Sequence, residues 1–272
     1  MGVLNVTPDS FSDGGLFLEP TAAAERALEL ERDGADILDI GGESTRPGSE
    51  PVPEEVEIGR VLPVLERLRG RLKIPVSLDT RRARVAELAA AAGAEILNDV
   101  SALRDDPRLG EVARQQGLGV ILMHMRGTPR TMQKRGFARH ALEDVREGLE
   151  AAIRRARRAG IDRGRLLLDP GIGFGKTFAQ NFELLARLGE LARLRCPIVV
   201  GPSRKAFLGH ALGGAPPSER VWGTAAAVAA AVLAGAHIVR VHDVREMAQV
   251  VRVADAMRAA ARGPAFSSRP RP

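Results

Sequence analysis

The chain has 272 residues, a net charge of +6 and a pI near 10.5; it is 44% hydrophobic and 27% charged, enough to bury a core and too apolar for a disordered chain. No apolar run reaches the roughly 18 residues of a membrane span, and no basic flank of a signal peptide precedes the apolar N-terminus. A single cysteine, Cys196, excludes an internal disulfide and, with these absences, sets a cytoplasmic expectation. The basic residues alternate with acids, as in Glu143-Asp144-Val145-Arg146-Glu147, and aromatics are only 3% of the chain. That favours an arginine-rich surface with an anionic small-molecule substrate over a nucleic-acid stripe, which is kept as the alternative. The excess of arginine over lysine fits either a thermophile or a GC-rich genome.

In chain order, one unit recurs eight times: a short apolar run, a polar residue at its end, a loop, then an amphipathic helix. The runs are Gly2 to Asn5, Ala35 to Asp39, Pro75 to Asp79, Ala94 to Asn98, Leu118 to Met123, Arg165 to Asp169, Pro197 to Gly201 and His237 to His242. The pattern predicts helices over 21–33, 54–69, 82–92, 108–116, 142–159, 182–194, 218–234 and 244–261. Gly34, Gly93, Gly117, Gly160 and Gly235 stand where a left-handed residue would stop a helix before the next strand. Eight alternations predict a parallel sheet closed as a (β/α)8 TIM barrel in one domain over residues 1–262, with an open doubly wound sheet as the alternative. Residues 263–272, rich in Pro, Ser and Arg, read as a disordered tail. Three long loops, 7–19, 41–53 and 125–137, follow strands one, two and five, on the face where barrels carry their sites.

Reading the strand ends gives Asn5, Asp39, Asp79, Asn98, Asp169, Ser203, Lys205, Arg240 and His242. Any one of these could cap a helix, but together they define a ring around a shared cavity. Asp79, Asn98 and Asp169 suit a flat heterocycle rich in N–H donors, because a carboxylate accepts two parallel N–H bonds. Arg240 and His242 alternate on the last strand and suit phosphate, and Lys205 can bridge the two regions. The amide oxygen of Asn5 suits a hard cation such as Mg²⁺. His124 and His140 lack zinc-ligand spacing, and neither a nucleophile elbow nor a cysteine placed after a strand is present.

One stretch points elsewhere. Gly171-Ile172-Gly173-Phe174-Gly175-Lys176-Thr177 is one residue short of a phosphate-cradling loop, with Pro170 where that motif needs its first glycine. A phosphate role for Lys176 is therefore not expected.

At the same residues the sequence resembles the dihydropteroate synthase family. The stretch from Met1 to Gly15 resembles that family's first signature and Asp39-Ile40-Gly41-Gly42-Glu43-Ser44-Thr45-Arg46-Pro47-Gly48 its second. Ser77 to Thr80, Asn98-Asp99-Val100, Met123-His124-Met125, Asp169 to Lys176, Gly201 to Lys205 and Arg240 to Asp243 match the remaining blocks in order. The departures are small: the first strand opens at the first residue, which predicts a less well plugged barrel floor, and Ala206 stands where a serine is common. The resemblance implies a (β/α)8 barrel that joins 4-aminobenzoate to 6-hydroxymethyl-7,8-dihydropterin pyrophosphate with Mg²⁺. It implies pterin binding by Asp79, Asn98, Met123, Asp169 and Lys205, and pyrophosphate and metal binding by Asn5, Arg240 and His242. The aminobenzoate pocket falls to Thr45, Arg46, Pro47, Phe174 and Ser203, loop closure to Asp13, and catalysis to Asp79, Asp169, Lys205 and Arg240. It further implies a homodimer through the outer helices of the last third of the barrel. A pterin barrel feeding a corrinoid methyl carrier is the competing enzyme reading; it leaves the Ser44-Thr45-Arg46-Pro47 loop without a purpose.

Overall fold

The computed structural model describes residues 1–7, 20–45, 48–132 and 139–261. Its strands are β1 (Gly2–Asn5), β2 (Leu38–Gly41), β3 (Val76–Asp79), β4 (Ile96–Asp99), β5 (Gly119–Met123), β6 (Leu166–Asp169), β7 (Val199–Val200) and β8 (Ile238–Val239). Between and after them lie α1 (Pro20–Arg32), α2 (Glu54–Leu68), α3 (Ala83–Ala91), α4 (Leu109–Gln115), α5 (Ala141–Arg158), α6 (Phe178–Ala186), α7 (Ala206–Ala211), α8 (Val221–Leu233) and α9 (Val244–Ala260).

Strands β1 to β6 pair in parallel in sequence order, and β7 pairs β8. Two parallel bridges join these sheets into a ring: Leu168 with Ile198 links β6 to β7, and Gly2 with Val241 links the end of β8 to β1. The backbone bonds from Leu168 N to Pro197 O (2.9 Å) and from Val3 N to Val241 O (3.0 Å) run across these seams. Every C-terminal strand end therefore opens on the same face, as a closed (β/α)8 ring requires.

The strands are buried on both faces, since the helices cover one and the barrel interior encloses the other, and their polar residues lie toward the C-terminal mouth. Leu38, Ile40, Leu78, Leu97, Val120, Leu122 and Leu168 pack outward against the helices in the main core. Met1, Ile121 and Val199 meet inside the barrel, flanked by Ile37, Ile96, Leu167 and Ile238. The barrel floor, expected to be poorly plugged, is thus filled partly by the Met1 side chain. Its ammonium donates to the Val239 carbonyl at 3.0 Å.

Several boundaries differ from those the sequence predicts. The second strand runs to Gly41, which puts Asp39 inside it rather than at its end. Helix α6 begins at Phe178 rather than Phe182, because Thr177 and Gln180 form a capping box that starts it early. It ends at Ala186, and the remainder of the predicted helix is a 3-10 segment, Leu188–Leu194, closed by Arg195 at φ 52°. Helix α7 is too short, at six residues, for its periodicity to show in sequence. The expectations for Asp13, Arg46, Pro47 and the 263–272 tail fall outside the described residues.

Candidate active site at the barrel mouth

Asp39 is fully buried at the second position of β2. Pairing register places Asp39 beside Ser77, and Gly41 beside Asp79, which in turn faces Asn98. Arg240, just past β8, reaches across the barrel into this group. Its Nε donates to Asp39 Oδ2 at 2.6 Å and its terminal nitrogen to Asp79 Oδ2 at 3.1 Å. The amide of Asn98 donates to the same Asp39 oxygen at 3.2 Å. The other Asp39 oxygen is buried without a hydrogen-bond partner among the described residues.

Burial pushes Asp79 up to about 7, with Asp39 and Glu57 adding repulsion and Arg240 opposing both effects. Burial also raises Asp169, against the pull of Lys205 and of the Gly171 N–H, which donates to its carboxylate at 2.7 Å. For Arg240, burial works against the charge, yet Asp39 and Asp79 hold its pKa above the ordinary arginine value. The floor of the mouth is a charge cluster fixed by short bonds, with both carboxylates raised by burial and Asp79 held near its protonation point.

Lys205 stands directly before helix α7, at the end of the strand-seven loop, and its side chain does not cap the helix. Burial lowers it to about 8, with Asp169 opposing that shift. Its ammonium donates to the Ile172 carbonyl and stands 4.6 Å from the centroid of the Phe174 ring. Ser203 is buried, and its hydroxyl meets the ring Nδ1 of His242 at 3.0 Å and accepts from the His242 N–H at 3.2 Å. Ser203, expected at the aminobenzoate, therefore lies against the histidine expected at the pyrophosphate. Met123 is buried with Val100, Met125 and Met132, and Phe174 packs on this cluster.

The loop after β2, which carries Thr45, is anchored by charge. Glu43 takes Arg81 at 2.5 Å and Arg82 at 2.9 Å, while Arg60 donates to Gly42 O at 2.8 Å.

The glycine-rich loop after β6 is not a phosphate cradle. A cradle points backbone N–H groups at its ligand. Here the carbonyls of Gly171 and Phe174 converge on Lys176 Nζ, each at 2.9 Å. The helix N-terminus that follows is already capped by Thr177, and Lys176 is buried.

The structure gathers Asp79, Asn98, Asp169, Lys205 and Arg240 around one mouth, as the strand ends predicted. Sequence reasoning gave no partner to Asp39, because the end of the second strand was placed at it. It also missed the contacts of His124 and Asp144. His124 was weighed only for zinc spacing; its position directly after strand five was the available signal.

The pterin-binding-enzyme family matches residues 1–242. The dihydropteroate synthase of Synechocystis sp. is 48% identical over 257 residues, covering 94% of this chain and 89% of that protein. This chain belongs to the dihydropteroate synthase family. The Yersinia pestis dihydropteroate synthase, solved as a sulfonamide drug complex, superposes with a TM-score of 0.90 at 44% identity over 95% of this chain and 93% of that one. The Xanthomonas albilineans enzyme in complex with 7,8-dihydropteroate gives 0.86 at 42% identity over 95% and 92%. Among the described residues no helix is long and apolar enough to cross a membrane.

Proposed function

We infer that the chain is a dihydropteroate synthase: it condenses 4-aminobenzoate with 6-hydroxymethyl-7,8-dihydropterin pyrophosphate, giving 7,8-dihydropteroate and pyrophosphate. The observation that carries this reading is the buried set Asp79, Asn98, Asp169, Lys205 and Arg240 at one barrel mouth, in a chain of this family. Product-bound and sulfonamide-bound relatives of the same fold support it.

The residues divide the work. Asp79, Asn98 and Asp169 accept from and donate to the pterin edge, with Met123 packed beside it and Lys205 at its far side. Because burial holds Asp79 near 7, the pterin N–H donors complete its ionisation as they arrive. Arg240 and His242 receive the pyrophosphate. The bond from the methylene carbon to the pyrophosphate oxygen breaks first, and the oxygen keeps the electron pair. The carbon is left cationic and delocalised into the ring. The ionised carboxylates of Asp79 and Asp169 face that charge and stabilise it. The arylamine nitrogen then bonds to the carbon and sheds a proton, so no strong base is required. Thr45, Arg46, Pro47, Phe174 and Ser203 form the arylamine pocket, and Asp13 acts in closing the first loop over the site to exclude water.

The mouth also fits Mg²⁺. A Cβ at Gly41 would stand 3.4 Å from Asp79 Cβ and 3.9 Å from Asn5 Oδ1, so the glycine keeps open a space that both residues face. Magnesium takes few protein oxygens and completes its shell with water and substrate phosphate, so Asn5 as its protein ligand matches that habit. Bound there, the ion supplies positive charge to the departing pyrophosphate.

The assembly proposed is a homodimer through the last helices. Most of the exposed large apolar side chains among the described residues lie on these helices: Phe178 and Phe182 on α6, Trp222 and Leu233 on α8, Val253 and Met257 on α9; Leu212 follows α7, and Val56 on α2 stands apart. Trp222, 78% exposed, is the anchor. Light scattering is expected to give twice the chain mass, and the monomer mass for Trp222→Glu.

The decisive assay mixes both substrates with Mg²⁺ and follows pyrophosphate. Release that a sulfonamide inhibits, and that added 4-aminobenzoate restores, is the expected result. No release from folded protein sinks the assignment.

A further inference from the structure

Lys176, the residue that makes the glycine loop resemble a phosphate cradle, has no part in the chemistry above, yet its ammonium is buried in the loop. It makes no ion pair among the described residues. It meets the carbonyls of Gly171 and Phe174 at 2.9 Å, the carbonyl of His124 at 3.4 Å and the Nδ1 of His124 at 3.3 Å. The His124 ring continues to Asp144 on α5, Nε2 to Oδ2 3.3 Å. These partners fix the tautomer: Nε2–H donates to Asp144, and Nδ1 accepts from the lysine. Burial holds His124 neutral, down to about 4, and brings Lys176 down to about 7.

The surrounding backbone is shaped for this chain of contacts. Gly171, at φ 68°, lies so close to the His124 carbonyl that a Cβ there would overlap it. Gly148 on α5 leaves the space that the His124 ring fills. His124 N donates to Asp169 O at 2.9 Å, so the chain begins at the end of the strand that carries Asp169. On the loop itself, the Ile172 carbonyl receives Lys205, and Phe174 lies beneath the same ammonium.

We propose that Lys176, oriented through His124 by Asp144, is a positioning residue for the arylamine side of the site. It ties the 171–175 loop to the end of β5 and so sets the Phe174 ring and the carbonyl that holds Lys205. The proposal rests on the reading of Phe174 as the aminobenzoate wall. On the pterin side, Asp79, Asn98 and Arg240 on and beside β3, β4 and β8 are reached by none of these bonds, whereas Asp169 and Lys205 are touched only through the His124 N–H and the Ile172 carbonyl.

The test is two-substrate steady-state kinetics of Lys176→Met, with Phe174→Ala as the control on the pocket itself. A wall displaced by a fraction of an ångström is expected to raise KM for 4-aminobenzoate about tenfold in Lys176→Met and to weaken sulfonamide inhibition equally, with KM for the pterin pyrophosphate, which keeps Asp79, Asn98 and Arg240, rising by no more than about threefold. Asp144→Asn, at a partly exposed carboxylate, is expected to shift the same constant in the same direction by about threefold; it provides the readout if Lys176→Met does not fold. Equal changes in both KM values, or none in either, overturn the proposal while Phe174→Ala still raises the aminobenzoate KM. If Phe174→Ala leaves that KM unchanged, the pocket reading falls and the proposal with it.

Discussion

The floor of the site and the glycine loop beside it each bury a cation, and they neutralise it by opposite means. Arg240 is met by two carboxylates, Asp39 at 2.6 Å and Asp79 at 3.1 Å. Lys176 is met by carbonyl dipoles and a neutral imidazole. Opposed full charges, one of them held near its protonation point, can be redistributed when an ionic substrate arrives. A lysine satisfied by backbone carbonyls has nothing to exchange and instead fixes the backbone around it. One region is made to change partners during turnover, and the other to stay still.

Breaking the charge balance of the floor is expected to have the largest effect. Asp79→Asn keeps the shape but removes the charge that faces the cationic methylene, and kcat should fall by about 10² or more. Stopped or steady-state turnover with both substrates saturating checks this.

A smaller effect appears in stability, and its sign is fixed by burial. Asp79 rises from an ordinary 3.8 to about 7 in the folded chain. Between those values the native state holds a proton that the unfolded chain has released, so this group makes the fold less stable as pH rises from about 4 to about 7. Melting curves of the parent and Asp79→Asn should therefore diverge in favour of the variant across that window and run parallel outside it. A parent that gains on the variant as pH rises would show Asp79 to be stabilised, not strained, by its surroundings.

The smallest effect belongs to charges outside both regions. Arg187 pairs with Glu183 and Glu190 at 2.8 Å on the exposed face of the α6 region. Such pairs are screened and flexible, and Arg187→Ala should move the melting temperature by no more than about 2 °C without altering kinetics. A larger loss would mean that surface pairs, and not the buried clusters, dominate the electrostatics of this fold.

The two regions were unequally legible in the sequence. Asp79, Asn98, Asp169 and Arg240 could be found because each ends or follows an apolar run, and a run of strand length points its last residue at the barrel mouth. The bond between Asp39 and Arg240 could not, since it spans 201 positions and depends on a strand end placed two residues early. The Lys176 chain was hidden for a different reason. Its partners are carbonyls, which leave no residue-type signature, and its histidine lies 52 positions away. The eightfold ring was visible from repetition, but its closure through Leu168–Ile198 and Gly2–Val241 rests on single bridges that no local pattern marks.

The division of labour between the two regions is tested most directly by measuring both KM values and kcat for Arg240→Ala and Phe174→Ala side by side. The expected result is a split: Arg240→Ala lowers kcat by about 10² or more and weakens the pterin pyrophosphate, whereas Phe174→Ala raises the aminobenzoate KM about tenfold with pterin binding intact. If both variants change the same constant by the same factor, the floor and the loop act as one site, and the enzyme has no such division of labour.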